Sequence, residues 1–202
     1  MASQAEIANL ALSFLGAGTI VNLTDNNTRA QVLNAEYASI RDAELRKHTW
    51  RFSVKRASLP ALVETPVSGP YGTMFELPVD CIKVLMVGDG WPGVDISDYR
   101  TAPTTDDYSV EGDKILTNLP APLAMKYVYR VVDTGLYDAS FTIAFAAMLA
   151  WKCCERITQS TEKRQLAQRE YDDAISAAVR ANAIEKVPEY PADDSWILAR
   201  MQ

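Results

Sequence analysis

The chain is 202 residues long, 48% hydrophobic and 23% charged, and it carries no tract of the roughly 18 apolar residues that a membrane span needs. Its length allows one generous domain or two small ones with a real core, and nine glycines and ten prolines argue against a fibrous or disordered chain. A formal net charge of -6, from 26 acids against 20 bases, argues against a protein that grips nucleic acid over its whole surface, because phosphate binding needs clustered Lys and Arg. The distribution is uneven. Positive charge concentrates in Arg41, Arg46, Lys47, Arg51, Lys55 and Arg56, and the middle of the chain is acidic.

The elements follow in chain order. Ser3 and Glu6 form a capping-box pattern, with Ile7, Leu10, Ala11, Phe14 and Leu15 at helical spacing before Gly16, so a short amphipathic helix with a glycine stop is expected. Gly16-Ala17-Gly18 follows a helix, whereas phosphate-cradling loops leave a strand and open one, so it reads as a helix cap and turn. A second helix is predicted from about Thr28 to His48, with Ala30, Leu33, Tyr37, Ile40 and Leu45 on its apolar face and Arg46 and Lys47 in its last turn. Trp50, Phe52 and Val54 then alternate with Arg51, Ser53 and Lys55, which predicts a change to strand within a few residues.

From Leu59 to Val132 the pattern is short strands and turns: Met74 to Leu77, Cys81 to Val87, a hairpin of Tyr108 to Glu111 and Lys114 to Thr117 turning at Gly112-Asp113, and Ala124 to Val132. No long helices separate them, so a small antiparallel sheet or sandwich is expected rather than a parallel α/β core. Asp138 opens a third helix to about Ile157, apolar on nearly every face and therefore expected to be covered by neighbours. Ser160 or Thr161 caps a fourth to about Ile184, whose Ala167, Tyr171, Ala174, Ile175 and Ala178 make a narrow, small-residue face. Two prolines then break the chain into an extended arm carrying Trp196, Ile197 and Leu198, which either folds back on its own domain or docks elsewhere. The fold class is α+β, with helices over 1-49 and 133-187, a small antiparallel β region over 50-132 between them and the arm over 188-202.

Chemistry-bearing motifs are scarce. One histidine, His48, leaves little room for a triad, a zinc site or a proton shuttle, and at a helix end beside Trp50 it reads as a dipole-facing or surface residue. There is no nucleophile elbow, Walker loop, HExxH or calcium loop. Cys153 and Cys154 are adjacent, with Cα atoms ~3.8 Å apart, too close for an ordinary disulfide; with Cys81 they make an odd number, so a reducing compartment is expected. The N-terminus lacks the basic and apolar regions of a secretory signal, which predicts folding in a cytosol. Asp106-Asp107, Asp172-Asp173, Asp193-Asp194 and the looser Asp89, Asp95 and Asp98 fit solvated loops and helix faces better than a glycosidase pair or a cation site. No catalytic, metal or cofactor residue is assigned, and no cofactor is expected.

An amphipathic N-terminal helix ending in Leu15-Gly16, a linker with Leu23-Thr24-Asp25, a long Ala-rich helix, His48-Thr49-Trp50-Arg51-Phe52 entering a β region and later Val110-Glu111-Gly112-Asp113-Lys114-Ile115 together resemble the tail tubular protein A family, head-to-tail adaptors of short-tailed bacteriophages. The resemblance covers most of the chain in order, and Trp50-x-Phe52 is its sharpest signature. It implies a helical bundle built from the N- and C-terminal helices with an inserted small antiparallel β domain, in a non-enzymatic virion protein, assembled in the host cytoplasm, that forms a ring of about twelve copies between portal protein and tail nozzle protein. Double-stranded DNA would pass through the lumen without tight binding, and no membrane is involved.

Candidate interface residues are Arg41, Arg46, Lys47, Arg51, Lys55 and Arg56, whose basic run complements the acidic β region across a ring junction, and Trp196, Ile197 and Leu198, which the resemblance points toward the portal. Two competitors stay open. A carboxylate-dependent cell-wall hydrolase of the phage tail would need an acid of raised pKa in a cleft, and a small nucleic-acid-binding module would use the basic, aromatic run.

Overall fold

The computed structural model describes residues 2–88 and 108–184. Among them are four α-helices and two small three-stranded antiparallel sheets, so the chain is α+β. They divide into two compact units. One holds the residues up to Ser53 and those from Arg130 onward; the other holds the described residues of Val54–Tyr129.

In the helical unit, α1 (Gln4–Phe14) starts with the expected capping box: Glu6 N–H donates to Ser3 Oγ at 3.2 Å and Ser3 N–H donates to Glu6 Oε2 at 2.7 Å. It ends at Gly16, whose φ of 61° suits a residue without Cβ, while the Gly16 and Ala17 amides close back on the Ser13 and Leu12 carbonyls. α2 (Thr28–Lys47) is capped by Asn27, which accepts from the Ala30 amide. α3 (Ala139–Thr158) is capped by Asp138 and α4 (Thr161–Ile184) follows it. α1, α2 and α4 all pack on α3. That explains why Phe141 and every residue from Ala144 to Ala150 are buried: a helix with neighbours on several sides has few faces left for water.

Trp50 and Phe52 do not belong to a strand. Residues Arg51–Ser53 form a 3-10 turn, in which the Ser53 amide and hydroxyl both donate to the Trp50 carbonyl, at 3.0 and 2.8 Å. Trp50 is sunk in the helical core, edge-on to Phe141 at 4.9 Å, and Phe52 meets Phe141 at 5.0 Å and Tyr137 at 5.6 Å. Packing onto α3 sets these two side chains, so the sheet begins only at Val54.

The other unit starts there. β1 (Val54–Leu59), β2 (Thr73–Glu76), β3 (Cys81–Val87), β4 (Tyr108–Glu111), β5 (Lys114–Thr117) and β6 (Leu123–Tyr129) form sheet A, in order β1-β6-β3, and sheet B, in order β2-β5-β4. The β4–β5 hairpin turns at Gly112, φ 62°, and Asp113, as its sequence predicts. Leu59, Leu123, Met125 and Tyr127 of sheet A share one apolar core with Phe75 and Ile115 of sheet B. Two irregularities in β3 keep Cys81, Val84 and Val87 on the core side and place Lys83 and Met86 on the outer side.

The helical unit also buries a charge. The Glu44 side chain is 1% exposed, and it accepts from Lys47 Nζ at 2.7 Å and from the Tyr171 hydroxyl at 3.1 Å to each oxygen. The Glu44 carbonyl accepts from the Trp50 indole N–H at 3.1 Å. Asn182 ties the same corner down: its amide donates to the Thr49 carbonyl and accepts from the Arg51 amide. Partial burial pushes the Lys47 amine down, but its hydrogen bonds to Glu44 and Tyr171 prevail and its pKa is raised. Replacing Tyr171 by Phe strips a donor from a buried carboxylate, and a loss of about 1–3 kcal/mol is expected. Urea unfolding would show it as a lower midpoint at unchanged slope; an unmoved midpoint would show that Glu44 does not hold α2 to α4.

Candidate functional site

The predicted basic run does not form one surface. Arg41 is 7% exposed and its guanidinium is held by Asp42 at 2.8 Å, whose other oxygen takes Arg130 Nε at 2.9 Å. Lys47 belongs to the Glu44 cluster. Arg46 and Arg51 are exposed at the end of α2 and in the turn after it. Lys55 and Arg56 are exposed but, as consecutive strand residues, point to opposite faces of sheet A. Trp196, Ile197 and Leu198 lie outside the described residues, as do the acidic groups Asp106-Asp107, Asp193-Asp194 and Asp89, Asp95 and Asp98. Asp172 and Asp173 are exposed on α4.

Lys55 lies on the core side of β1, where its ammonium caps the Tyr129 ring at 3.7 Å and meets Asp80 Oδ2 at 2.9 Å. The Tyr127 hydroxyl donates to Asp80 Oδ1 at 3.0 Å. Partial burial would raise the Asp80 pKa, but the hydrogen bonds from Lys55 and Tyr127 and the Lys55 charge outweigh it, and the carboxyl sits below its ordinary value. Burial first, and then the Asp80 carboxylate, push the Tyr127 phenol up to about 12.

The outer face of sheet A is different. Arg56 stands directly opposite Lys126, and Lys83 stands opposite Val128 on the other neighbour of β6. The remaining residues of that face in the paired register are Val54, Ser58, Ala124 and Met86, so three cations on three adjacent strands share a face without an acid among the described residues. Among the described residues, none of the three side chains makes an ion pair or hydrogen bond. Sheet B carries the opposite pattern on its outer side. Glu76, Lys114 and Glu111 form one cross-strand row beside Asp113, and Lys114 turns to Glu64 at 3.6 Å.

Other places offer less chemistry. A groove of about 360 Å³ between α2 and α3 has Ile40 and Met148 among its lining residues, and the Arg156–Glu36 pair at 3.3 Å belongs to its wall. Burial pushes the Cys153 thiol up to about 12, which leaves it inert. His48 stands edge-on to Trp50 at 5.7 Å at the end of α2. Among the described residues no group of three His, Cys, Asp or Glu is placed to hold a metal ion, and no helix is long and apolar enough to cross a membrane. No protein-family model matches the chain, and no curated protein matches it significantly.

The Asp80 cluster gives a pH signature. A carboxyl whose folded pKa is depressed contributes stability above its unfolded pKa and loses it as pH falls through the folded value. The Asp80 carboxyl resonance is therefore expected to titrate below 3.8 in the native chain and to move up in Tyr127→Phe. A native midpoint at or above 3.8 would contradict the assigned hydrogen bonds.

Proposed function

We propose that this chain is a structural virion protein, a ring-forming head-to-tail adaptor of the tail tubular protein A kind that joins portal to tail nozzle and forms part of the DNA ejection conduit. The observation that carries the reading is topological. α1 and α2, from before the β unit, share α3 as packing partner with α4, from after it, so both ends of the chain contribute to one helical core. That is the arrangement the resemblance implies, and we read the four helices as its bundle, with the β unit as the inserted domain. The sequence order from Leu15-Gly16 through Trp50-x-Phe52 to the Gly112-Asp113 hairpin supports the same reading.

Charge supports it too. A conduit must let a duplex slide, and a chain of net charge -6 repels phosphate wherever acids line the passage. Ring contacts are heterologous, one face of a copy meeting a different face of the next, and about twelve copies close the circle. Portal and nozzle would then be its partners, the virion neck its place, and interface complementarity rather than catalysis its work.

The test is to mix the purified chain with the portal ring encoded in the same genome and weigh what co-sediments. A stoichiometric ring of this chain on the portal is expected. If the two sediment separately at every concentration, the adaptor reading fails, and carboxylate-to-amide variants assayed on cell-wall substrate become the next experiment.

A further inference from the structure

We propose that the outer face of sheet A, carrying Arg56, Lys126 and Lys83, docks the Glu76–Glu111–Asp113 side of sheet B from a second copy of this chain. The inference rests on the ring reading and deepens it by naming the two surfaces that meet.

A cost within the chain points to a missing partner. Arg56 and Lys126 are direct cross-strand neighbours, and like charges so placed destabilise a sheet pair. Lys83 on β3 adds a third cation, and none of the three is paired with an acid among the described residues. Sheet B shows the converse: Lys114, between Glu76 and Glu111, pairs instead with Glu64, which leaves the acids of the row in excess.

Neither surface can satisfy the other within one copy. The two sheets face each other through the core that Met125 and Tyr127 share with Phe75 and Ile115, so both charged sets lie on outer faces, away from that core. They do match between copies. The outer members of each set, Arg56 and Lys83 on sheet A and Glu76 and Glu111 on sheet B, stand on strands two spacings apart, roughly 10 Å across the sheet, with Lys83 set two residues along from the Arg56–Lys126 pair. A face of net positive charge therefore meets an acid-rich row of similar breadth, and because the two patches differ, the contact propagates head to tail, as a ring requires. A polyanion such as DNA would satisfy the cations alone and leave the acidic row unexplained; a second copy accounts for both.

The experiment uses the full chain in three forms: wild type, a face-reversed variant (Arg56→Glu with Lys126→Glu) and a row-reversed variant (Glu76→Lys with Glu111→Lys). Sedimentation of each, alone and on the portal ring, reads assembly. Wild type is expected to assemble, with weaker association as salt rises from about 0.05 to about 0.5 M. Each reversed variant alone is expected to need at least about tenfold more protein. An equimolar mixture of the two is expected to assemble again, because every junction is then complementary; that recovery also shows that both variants are folded. Variants that assemble like wild type, or a mixture that does not recover, would overturn the docking while leaving the ring intact. A wild-type chain that assembles neither alone nor on the portal would overturn the ring reading and this inference with it.

Discussion

A carboxylate taken out of water has to be met by donors, and the helical unit is organised around that requirement at Glu44. An unpaired buried charge costs several kcal/mol, roughly 3–5 when one partner is removed, so its donors cannot be placed casually. Lys47 comes from the next turn of α2, but the Tyr171 hydroxyl comes from α4, more than a hundred residues away in the chain. The same residue offers its carbonyl to Trp50, whose ring then lies on Phe141 of α3. One side chain and its backbone thereby tie α2 to α4, and through Trp50 to α3. The unit made from two distant segments of the chain closes on this corner.

Much of the local structure was legible, because local structure has local causes. The Ser3–Glu6 box, Gly16, the Asp138 cap and the Gly112-Asp113 turn satisfy backbone groups within a few residues. The all-round apolar α3 announced its central place because no polar face was left for water. Trp50 and Phe52 misled for the same reason that they matter: alternation over three residues fits a strand, but Phe141 and Tyr137 hold both rings in the helical core and Ser53 closes the turn beneath them. Glu44 was not legible at all. A glutamate in a charged helix reads as solvated, and nothing near it in sequence foretells Tyr171.

The charged surfaces show how sequence proximity and spatial proximity part company. The run from Arg41 to Arg56 looks like a patch only along the chain; Arg41 is buried against Asp42, Lys47 serves Glu44, and Lys55 turns to Asp80. Of that run, Arg56 alone stands on the face that carries no acid among the described residues, and its companions Lys83 and Lys126 are, along the chain, single cations among apolar neighbours. Only the antiparallel register of β1, β6 and β3 brings them together. Non-local strand pairing cannot be read from composition or period, and so a charge pattern that depends on it is invisible until the sheet is seen.

These features together describe a chain whose two units have different tasks. The helical unit spends a buried charge and an aromatic cluster on fixing its own shape, while among the described residues the β unit carries a cationic face on sheet A and an acid-rich row on sheet B. The most direct check of the proposed ring is an electron cryomicroscopy reconstruction, at side-chain resolution, of the chain mixed with the portal ring encoded in the same genome. A closed ring with an open lumen is expected, with the Arg56–Lys126 face of each copy seated on the Glu76–Glu111 row of the next. A two-fold dimer in which one patch meets itself, or a chain bound as isolated monomers, would contradict a head-to-tail adaptor.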